Sequence, residues 1–305
     1  MDKTLPFIQK LGTYDIAIVE ANPIVWRGEL HIFEGIRGEL RFPGHSHWQN
    51  ERNDSYCRFR KVADNSFSPP FGHGMNFPSA YVVPGADRVV VTGNRGGDHE
   101  FLQTESDDLV HWTEPRAIFG GEGWKGYNTS VCRDADRNRH VAVFELGAPK
   151  ELVGVPFTMF FAETEDFNTW QVIPGAIYGF DFYTGGPMLR WHGGFYYLFH
   201  LNGSYEDGFE THVVRSRDLK DWEPGKKNPV LAPGSDDKKT TPVFPPQFRE
   251  YLAGAANCNA SDLDMVEHGG NIEMFYSWGN QRGNEFSARA VVYGMTERTF
   301  CESLF

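Results

Sequence analysis

Two carboxylates, Asp262 and Asp264, stand two positions apart in a segment that begins at Asn259. Side chains alternate along a β-strand, so this spacing predicts that both acids lie on one face. Two acids on one face cost free energy unless they are solvated, paired or used in chemistry. Neighbouring carboxyl groups also push their pKa values apart, which can keep one of them protonated. The segment therefore predicts either acids satisfied by an Arg or by backbone amides, or a general acid.

Glu20 shares the sequence register of Asp262. Glu20 lies eight positions before the turn residue Gly28, and Asp262 lies eight positions before Gly270. The shared register predicts that both carboxylates begin corresponding strands and face the same space. A surface Glu ahead of a strand would give the same pattern.

Two other acids could supply a second carboxyl group. Asp181 lies between Phe180 and Phe182, and burial beside aromatic rings would raise its pKa. Glu210 lies in an apolar segment, 209–215, that is typical of a strand. Each also fits an ordinary role, Asp181 in a loop and Glu210 on a strand surface.

Three residues in the first third of the chain could bind a ligand. His73 lies between two glycines, which allow a ligand to approach closely, although an ordinary loop His has the same setting. Glu34 and Arg37 follow the first predicted hairpin. They form either a structural ion pair or a clamp for a substrate hydroxyl or carboxylate, since Arg presents a fixed fork of donors.

Four further candidates for ligand binding lie at predicted strand ends. Asn76 and Asn128 begin predicted strands, and Trp278 and Gln281 follow the aromatic run after the His-Gly-Gly turn at 268–270. The Trp could supply a stacking face, and Gln281 an amide that hydrogen-bonds to a sugar. A Trp at a strand end is equally typical of a core.

The composition excludes several classes of function. The chain has 305 residues, of which 40% are hydrophobic and 15% aromatic, and its net charge is −12. This length can form one large all-β domain or two smaller domains. The distributed negative charge disfavours nucleic acid and anionic membranes as partners, and it favours a neutral or cationic small substrate.

No cofactor or targeting motif is visible in the sequence. There is no phosphate-binding glycine loop, no His-Glu-x-x-His and no Gly-x-Ser-x-Gly. The N-terminal residues lack an apolar signal segment, and no run reaches transmembrane length. We expect a cytoplasmic protein, or a periplasmic one if a signal peptide was removed. Four widely spaced cysteines predict free thiols: Cys57, Cys132, Cys258 and Cys301.

One phrase, Ser/Thr-x-Asp-Leu/Phe-x-x-Trp, occurs three times, at 106–112, 164–170 and 216–222. The hydroxyl and the Asp predict a tight polar turn, and the Leu or Phe and the Trp are expected to pack back onto a sheet. We interpret these residues as structural.

A second repeat precedes these turns and consists of a polar start, a strand, a turn and an apolar strand. Units of about 50 to 60 residues that contain such strands are typical of a β-propeller. The sequence therefore predicts one domain over 1–305, an all-β, five-bladed propeller whose inner strands all begin at one central funnel. The five copies are Glu20–Glu34, Asn76–Thr92, Asn128–Glu145, Tyr183–His200 and Asn259–Tyr276.

The repeated turns, with residues 227–231 after the third, resemble the five-bladed β-propeller glycosidases, which include arabinanases, β-xylosidases, invertases and anhydro-galactosidases. Segments 19–23, 128–132, 261–264 and 276–281 resemble a bacterial set of glycosidases of this fold. The resemblance covers nearly the whole chain and is more specific for the fold than for the substrate.

The resemblance implies catalytic roles, which this chain matches only in part. In the relatives, an Asp that begins the first inner strand is the base, and a Glu before Gly-Pro on a later inner strand is the acid. Glu20 matches the base by position, with an additional methylene. Gly185 stands where the acid is expected, and Asn128 replaces the Asp that tunes the acid. The acid is therefore expected elsewhere.

The preferred expectation is an exo-acting, inverting glycoside hydrolase on a small oligosaccharide. Glu20 would be the base, and Asp262 or Asp264 the acid. A carbohydrate-binding propeller that has lost hydrolysis is a second hypothesis, which the departures at Gly185 and Asn128 favour.

A glycoside phosphorylase is a third hypothesis, in which phosphate replaces water and Arg37 is the only obvious group to hold it. No cofactor is expected, although the relatives suggest a structural Ca²⁺ ion in the central channel. The sequence does not fix the oligomeric state.

Overall fold

The computed structural model describes residues 6–15, 18, 21–36, 55–95, 99–155, 157–282 and 285–305. Two residues that the sequence places in the site, Glu20 and Arg37, lie outside the described residues. The regular secondary structure of the described chain is almost entirely β-strand. No helix in it is both long and apolar enough to cross a membrane.

Strand β1 (Gln9–Asp15) is followed by five consecutive antiparallel groups of strands, which we call units 1 to 5. Unit 1 has three strands among the described residues, and isolated bridges pair β4 with residues 67 and 71. Units 1 to 3 contain β2 (Ala21–Trp26), β3 (Glu29–Ile36) and β4 (Tyr56–Lys61); β5 (Asn76–Val82), β6 (Val89–Asn94), β7 (Glu100–Ser106) and β8 (Arg116–Gly120); and β9 (Gly126–Asp134), β10 (Arg139–Leu146), β11 (Thr158–Thr164) and β12 (Gln171–Tyr178).

Units 4 and 5 are joined by a single parallel bridge between Phe209 and Asn259. Strand β1 pairs with the last strand of unit 5, so the two ends of the chain lie in one sheet. These units contain β13 (Thr184–His192), β14 (Phe195–Ser204), β15 (Gly208–Ser216) and β16 (Glu223–Pro224); and β17 (Asn259–His268), β18 (Asn271–Gly279) and β19 (Glu285–Val292).

Three short α-helices complete the described chain: α1 (Lys150–Val153), α2 (Arg249–Gly254) and α3 (Glu297–Ser303). Helix α2 follows a short 3₁₀ turn, Pro246–Phe248, and α3 lies near the C-terminus. Helix α1 is a single turn of four residues and was not predicted.

Each of the five predicted strand–turn–strand copies contains a hairpin, formed by the first two strands of its unit. The turns at 27–28, 193–194 and 269–270 have two consecutive residues with positive φ, between 49° and 82°. This is the geometry of the type I′ turn, which matches the twist of the flanking strands and favours Gly. The His-Gly-Gly turn before β18 was therefore predicted correctly.

The hydrophobic core is divided among the gaps between units. One cluster of buried side chains fills each gap, including the gap between units 5 and 1. Burial of a large apolar side chain contributes about 1.5–3 kcal/mol, so these gaps provide most of the stabilisation. Representative pairs, from the gap between units 1 and 2 onward, are Phe33 and Val91, Val90 and Phe144, Phe161 and Leu198, Phe199 and Met274, and Phe275 and Ile32.

The three Ser/Thr-x-Asp turns follow the third strands of units 2, 3 and 4. In the third copy Ser216 Oγ accepts a hydrogen bond from Leu219 N at 2.9 Å, and Asp218 Oδ1 accepts one from Asp221 N at 2.9 Å. Each Trp packs against the preceding unit. Trp112 stacks on Phe71 with ring centroids 3.7 Å apart. The motif is structural, as predicted, and its Trp connects neighbouring units.

Candidate active site

The first strands of the five units contact one another in order, and β17 of unit 5 contacts β2 of unit 1. Their N-terminal ends surround one cavity, which we call the central pocket. The pocket continues past Asn128, Gly186 and Asp262 toward a group of aromatic residues. The first-strand residues that line it are Ala21, Asn22, Pro78, Ser79, Asn128, Thr129, Gly186, Pro187, Asp262, Leu263 and Asp264.

β-bulges begin three of these first strands, in units 2, 4 and 5. Each bulge contains a residue in the left-handed region: Phe77 with φ 51°, Gly186 with φ 56° and Asp262 with φ 50°. A bulge breaks the alternation of side chains along a strand. The expectation that Asp262 and Asp264 share one face by simple alternation is therefore wrong, although both line the pocket.

Asp262 is partly exposed in the central pocket. Its Oδ2 lies 2.6 Å from Ser261 Oγ, and Gln281 Nε2 donates a hydrogen bond to the same Ser oxygen at 3.0 Å. Since the Ser oxygen accepts from Gln281, its own hydrogen points at Asp262. Asp262 is therefore the acceptor at the end of this chain of hydrogen bonds.

Asp264 is buried and fully engaged in hydrogen bonds. Its Oδ2 accepts from Asn22 Nδ2 at 2.6 Å, and its Oδ1 accepts from Arg190 and from Met265 N. Burial raises the pKa of Asp264, and the Arg190 guanidinium opposes that shift. Every one of these groups donates to the carboxylate, so Asp264 is a poor choice for the acid that the sequence proposed.

Glu145 is a pocket residue that the sequence reasoning missed. It lies on β10, the second strand of unit 3, and is only 2% exposed. A Cβ atom placed on Gly185 would lie 3.5 Å from Glu145 Oε1. The carboxylate therefore approaches β13 at the position where the related glycosidases carry their acid. A usable signal was present, because an acid directly after the apolar run Val141-Ala142-Val143-Phe144 is costly without a role.

Four half-buried aromatic rings form an arc along the wall of the central pocket. Phe77 and Tyr127 have ring centroids 5.1 Å apart, and Tyr127 and Phe157 are 4.6 Å apart. Phe157 and Tyr183 continue the arc at 5.6 Å. All three contacts are edge-to-face, so each ring packs against the next and fixes its orientation. We call these four residues the aromatic arc.

Tyr183 connects the aromatic arc to the acids. Burial raises the pKa of the Tyr183 phenol, a hydrogen bond with Tyr205 raises it further, and the charges of Glu145 and Asp262 add to the shift. Both carboxylates are therefore close enough to act on one phenol. Glu285, at the start of β19, adds a third acid to this wall.

The charged side chains that line the pocket are all acidic among the described residues. None of the described residues that line it is Lys or Arg. A field of this sign suits a neutral or cationic ligand better than an anion such as phosphate.

Two residues with predicted binding roles are buried away from the pocket. Trp278 is fully buried, packs on Phe286 at 4.6 Å and donates from Nε1 to Thr13 Oγ1 at 2.8 Å. It belongs to the core and cannot stack on a sugar. Glu34 is also fully buried and lies 2.6 Å from both Arg58 Nε and Arg60 Nε. Its role as a ligand clamp is wrong, because these two arginines occupy it.

Four other predicted residues lie outside the walls of the central pocket. Asp181 and His73 are exposed. The Glu210 side chain is 41% exposed and its Oε2 lies 3.4 Å from His212 Nε2. Asn76 donates from Nδ2 to Gly74 O at 3.2 Å, and the bulge that follows presents Phe77 to the pocket instead. Only Asn128, Asp262, Asp264 and Gln281, of the described candidates, reach it.

The opposite end of the channel, which we call the far end, is a network of paired charges. Arg190 binds Asp264 and also lies 3.4 Å from Glu297 Oε2. His192 Nε2 lies 2.9 Å from Glu297 Oε1. Burial alone would raise the pKa of Glu297, but Arg190 and His192 outweigh burial and lower it. Asn22 separates the two ends, since it binds Asp264 and accepts from Ala80 N at 2.6 Å.

Within the described part of the chain, no group of three or more His, Cys, Asp or Glu side chains is arranged to hold a metal ion. The Ca²⁺ ion suggested by the sequence resemblance stays a prediction.

No protein-family model and no curated protein matches the sequence. Solved structures do match, one of them described as a glycoside hydrolase, with 14% identity, a TM-score of 0.62 and coverage of 95% of this chain and 93% of that one. An α-L-arabinofuranosidase from Podospora anserina, solved with cellotriose, is 12% identical, with a TM-score of 0.60 and coverage of 94% and 98%.

A β-1,2-mannobiose phosphorylase from Listeria innocua, solved with β-1,2-mannobiose, is 13% identical, with a TM-score of 0.58 and coverage of 100% and 98%. At such identities the likeness concerns the fold. The chain is similar in fold to the β-propeller glycosidases, as the sequence resemblance implied.

Proposed function

We propose that this chain is a five-bladed β-propeller that hydrolyses glycosidic bonds in the central pocket, with units 1 to 5 as its blades. One observation carries the proposal. The carboxylates of Glu145, from unit 3, and of Asp262 and Glu285, from unit 5, meet the aromatic arc near the N-terminal ends of the first strands. Glycosidic hydrolysis needs two carboxyl groups beside the bond, and aromatic faces bind the apolar faces of sugars.

The shape of the channel supports exo action. Substrate can enter from the end that carries the aromatic arc, while the hydrogen bond between Asn22 and Asp264 crosses the channel beyond the acids. Such a pocket accepts the end of a sugar chain and leaves little room for a chain to pass through. The proposed outcome is inversion, which requires carboxyl groups about 6.5–9.5 Å apart. The NMR signal of the first-formed anomer tests this directly.

Phosphorolysis is the second candidate, because one similar structure is a phosphorylase that aligns with the whole of this chain. A phosphorylase must hold inorganic phosphate beside the sugar, usually with cationic side chains. The described walls of the pocket supply acids and no Lys or Arg. Arg37, the cation that the sequence offers for phosphate, lies outside the described residues. We propose water as the acceptor, and the assay with and without phosphate tests this choice.

The test is a panel of oligosaccharides and 4-nitrophenyl glycosides of pentoses and hexoses, assayed with and without inorganic phosphate. We expect release of a terminal sugar that does not depend on phosphate. Asp262→Asn should lower kcat/KM by about 10²–10⁴-fold, the usual contribution of an acid or base. Glu210→Gln, which changes an acid outside the pocket, is the matched control. Binding of sugars without turnover would overturn hydrolysis and favour a binding protein.

A further inference from the structure

We propose that Glu145 is the general acid, and that it replaces from a neighbouring strand the acid that related glycosidases carry at the position of Gly185. This inference rests on the proposed function and assigns one residue within it. The acid has changed its place in the sequence while its carboxyl group has kept its place in the pocket.

The geometry at Gly185 carries the inference. A side chain at this position would begin 3.5 Å from Glu145 Oε1, which is ordinary van der Waals contact. A Glu at 185 and the existing Glu145 would therefore direct two carboxyl groups into one small region. Glycine at 185 leaves that region to Glu145, which is held in place by its strand, β10, rather than by a loop.

Gly186 leaves space for the second acid, Asp262, in the same way that Gly185 leaves space for Glu145. Its φ is 56°, and a Cβ atom there would collide with Asp262 Oδ1. The two glycines of β13 thus leave space for one carboxyl group from unit 3 and one from unit 5. Glu145 and Asp262 approach the same two-residue segment, and both influence Tyr183.

The hydrogen bonds around Asp262 suit it to the role of base. Gln281 donates to Ser261, and Ser261 donates to Asp262, so Asp262 is held as an acceptor. A carboxylate in this state suits a base that receives a proton from water. Glu145 is then the member of the pair that donates.

The reaction can be written in full with these two groups. The proton of Glu145 passes to the glycosidic oxygen as the bond from that oxygen to the anomeric carbon breaks, and the oxygen keeps the electron pair. Water forms the new bond to the anomeric carbon, and its proton passes to Asp262. Exchange with solvent restores both groups, so the net change is the addition of one water molecule across the bond.

The experiment varies the leaving group in Glu145→Gln. A good leaving group, such as 2,4-dinitrophenolate, departs without protonation, whereas a sugar hydroxyl needs an acid. We expect kcat/KM for the natural oligosaccharide to fall by about 10²–10⁴-fold and that for the 2,4-dinitrophenyl glycoside to fall by less than about tenfold. The alkaline limb of the pH–rate profile should also disappear. Asp262→Asn should slow both substrates.

A double variant, Glu145→Ala with Gly185→Glu, returns the acid to the position seen in the relatives. It should recover part of the activity that Glu145→Ala loses on the oligosaccharide.

Equal loss on both leaving groups, or no loss, in a folded Glu145→Gln protein would overturn the assignment of Glu145 and leave the proposed hydrolase function intact. A wild-type protein that cleaves neither substrate would overturn the proposed function itself. A Glu20→Gln variant distinguishes Glu20, which the sequence predicts as the base, from Asp262, which is the base in this proposal.

Discussion

The two ends of the channel contain the same kinds of residue and use them differently. At the far end Asp264 and Glu297 each contact a cation, and the described groups form a connected network. In the central pocket Glu145, Asp262 and Glu285 line a wall that includes aromatic rings and no described Lys or Arg. Only Leu263 lies between Asp262, which belongs to the central pocket, and Asp264, which joins the network of the far end.

This difference separates acids in ion pairs between units from acids that line the pocket beside the aromatic arc. A buried carboxylate with a cation on one side and a hydrogen-bond donor on the other is satisfied, and it connects units. Arg190 and Asp264 join units 4 and 5, and Asn22 extends the connection to units 1 and 2. The acids of the central pocket lie beside the aromatic arc instead.

The largest expected effect on stability is at the far end. Asp264→Ala leaves Arg190 and Asn22 without their shared acceptor in a buried site. Removal of one partner of a buried pair destabilises a protein by about 3–5 kcal/mol. Urea unfolding should show this loss, while Asp262→Asn should change stability by less than about 1 kcal/mol. Equal effects of the two substitutions would contradict the distinction between the ends.

An intermediate effect is expected at the boundary between Asp262 and β13. Gly186→Ala places a methyl group against the Asp262 carboxylate and forces a side chain into the left-handed region. Backbone strain of this kind costs about 1–3 kcal/mol. We expect both a lower melting temperature and a lower kcat/KM, whereas Gly269→Ala, at a turn with open space around it, should lower only stability.

The smallest effect concerns pH and Glu297. The pKa of the Glu297 carboxyl is lowered in the folded state. The stabilisation that Glu297 gives the fold is therefore fully present above the pKa of Glu in the unfolded chain, about 4.3. That stabilisation is lost as the pH falls below this value toward the lowered pKa of the folded protein. The difference in unfolding free energy between wild type and Glu297→Gln should therefore shrink from pH 7 to pH 3. A difference that grows on acidification would mean that folding raises the pKa of Glu297 rather than lowering it.

The sequence predicted the local parts of this structure well. The Ser/Thr-x-Asp turns close through hydrogen bonds between residues two or three positions apart, as between Ser216 and Leu219. The His-Gly-Gly turn requires two consecutive positive φ angles, which glycine provides. These features depend on neighbouring residues and are visible in a short window of sequence.

The candidate site was only partly predictable. Asn128, Asp262 and Gln281 were found because they begin or follow strands in a repeated register. Glu145 was missed because it begins no strand. Trp278 was misassigned because its exposure depends on Thr13 and Phe286, which lie on other strands.

By itself, the sequence determined that the chain forms repeated antiparallel units with polar first-strand starts, because the turns and the alternation that create them are local. Only the tertiary structure decided which acids pair with arginines and which line the wall beside the aromatic arc. Glu34 meets Arg58 and Arg60, and Asp264 meets Asn22 from the other end of the chain. Charge pairing and access to a cavity depend on contacts between units, and a sequence pattern does not record those contacts.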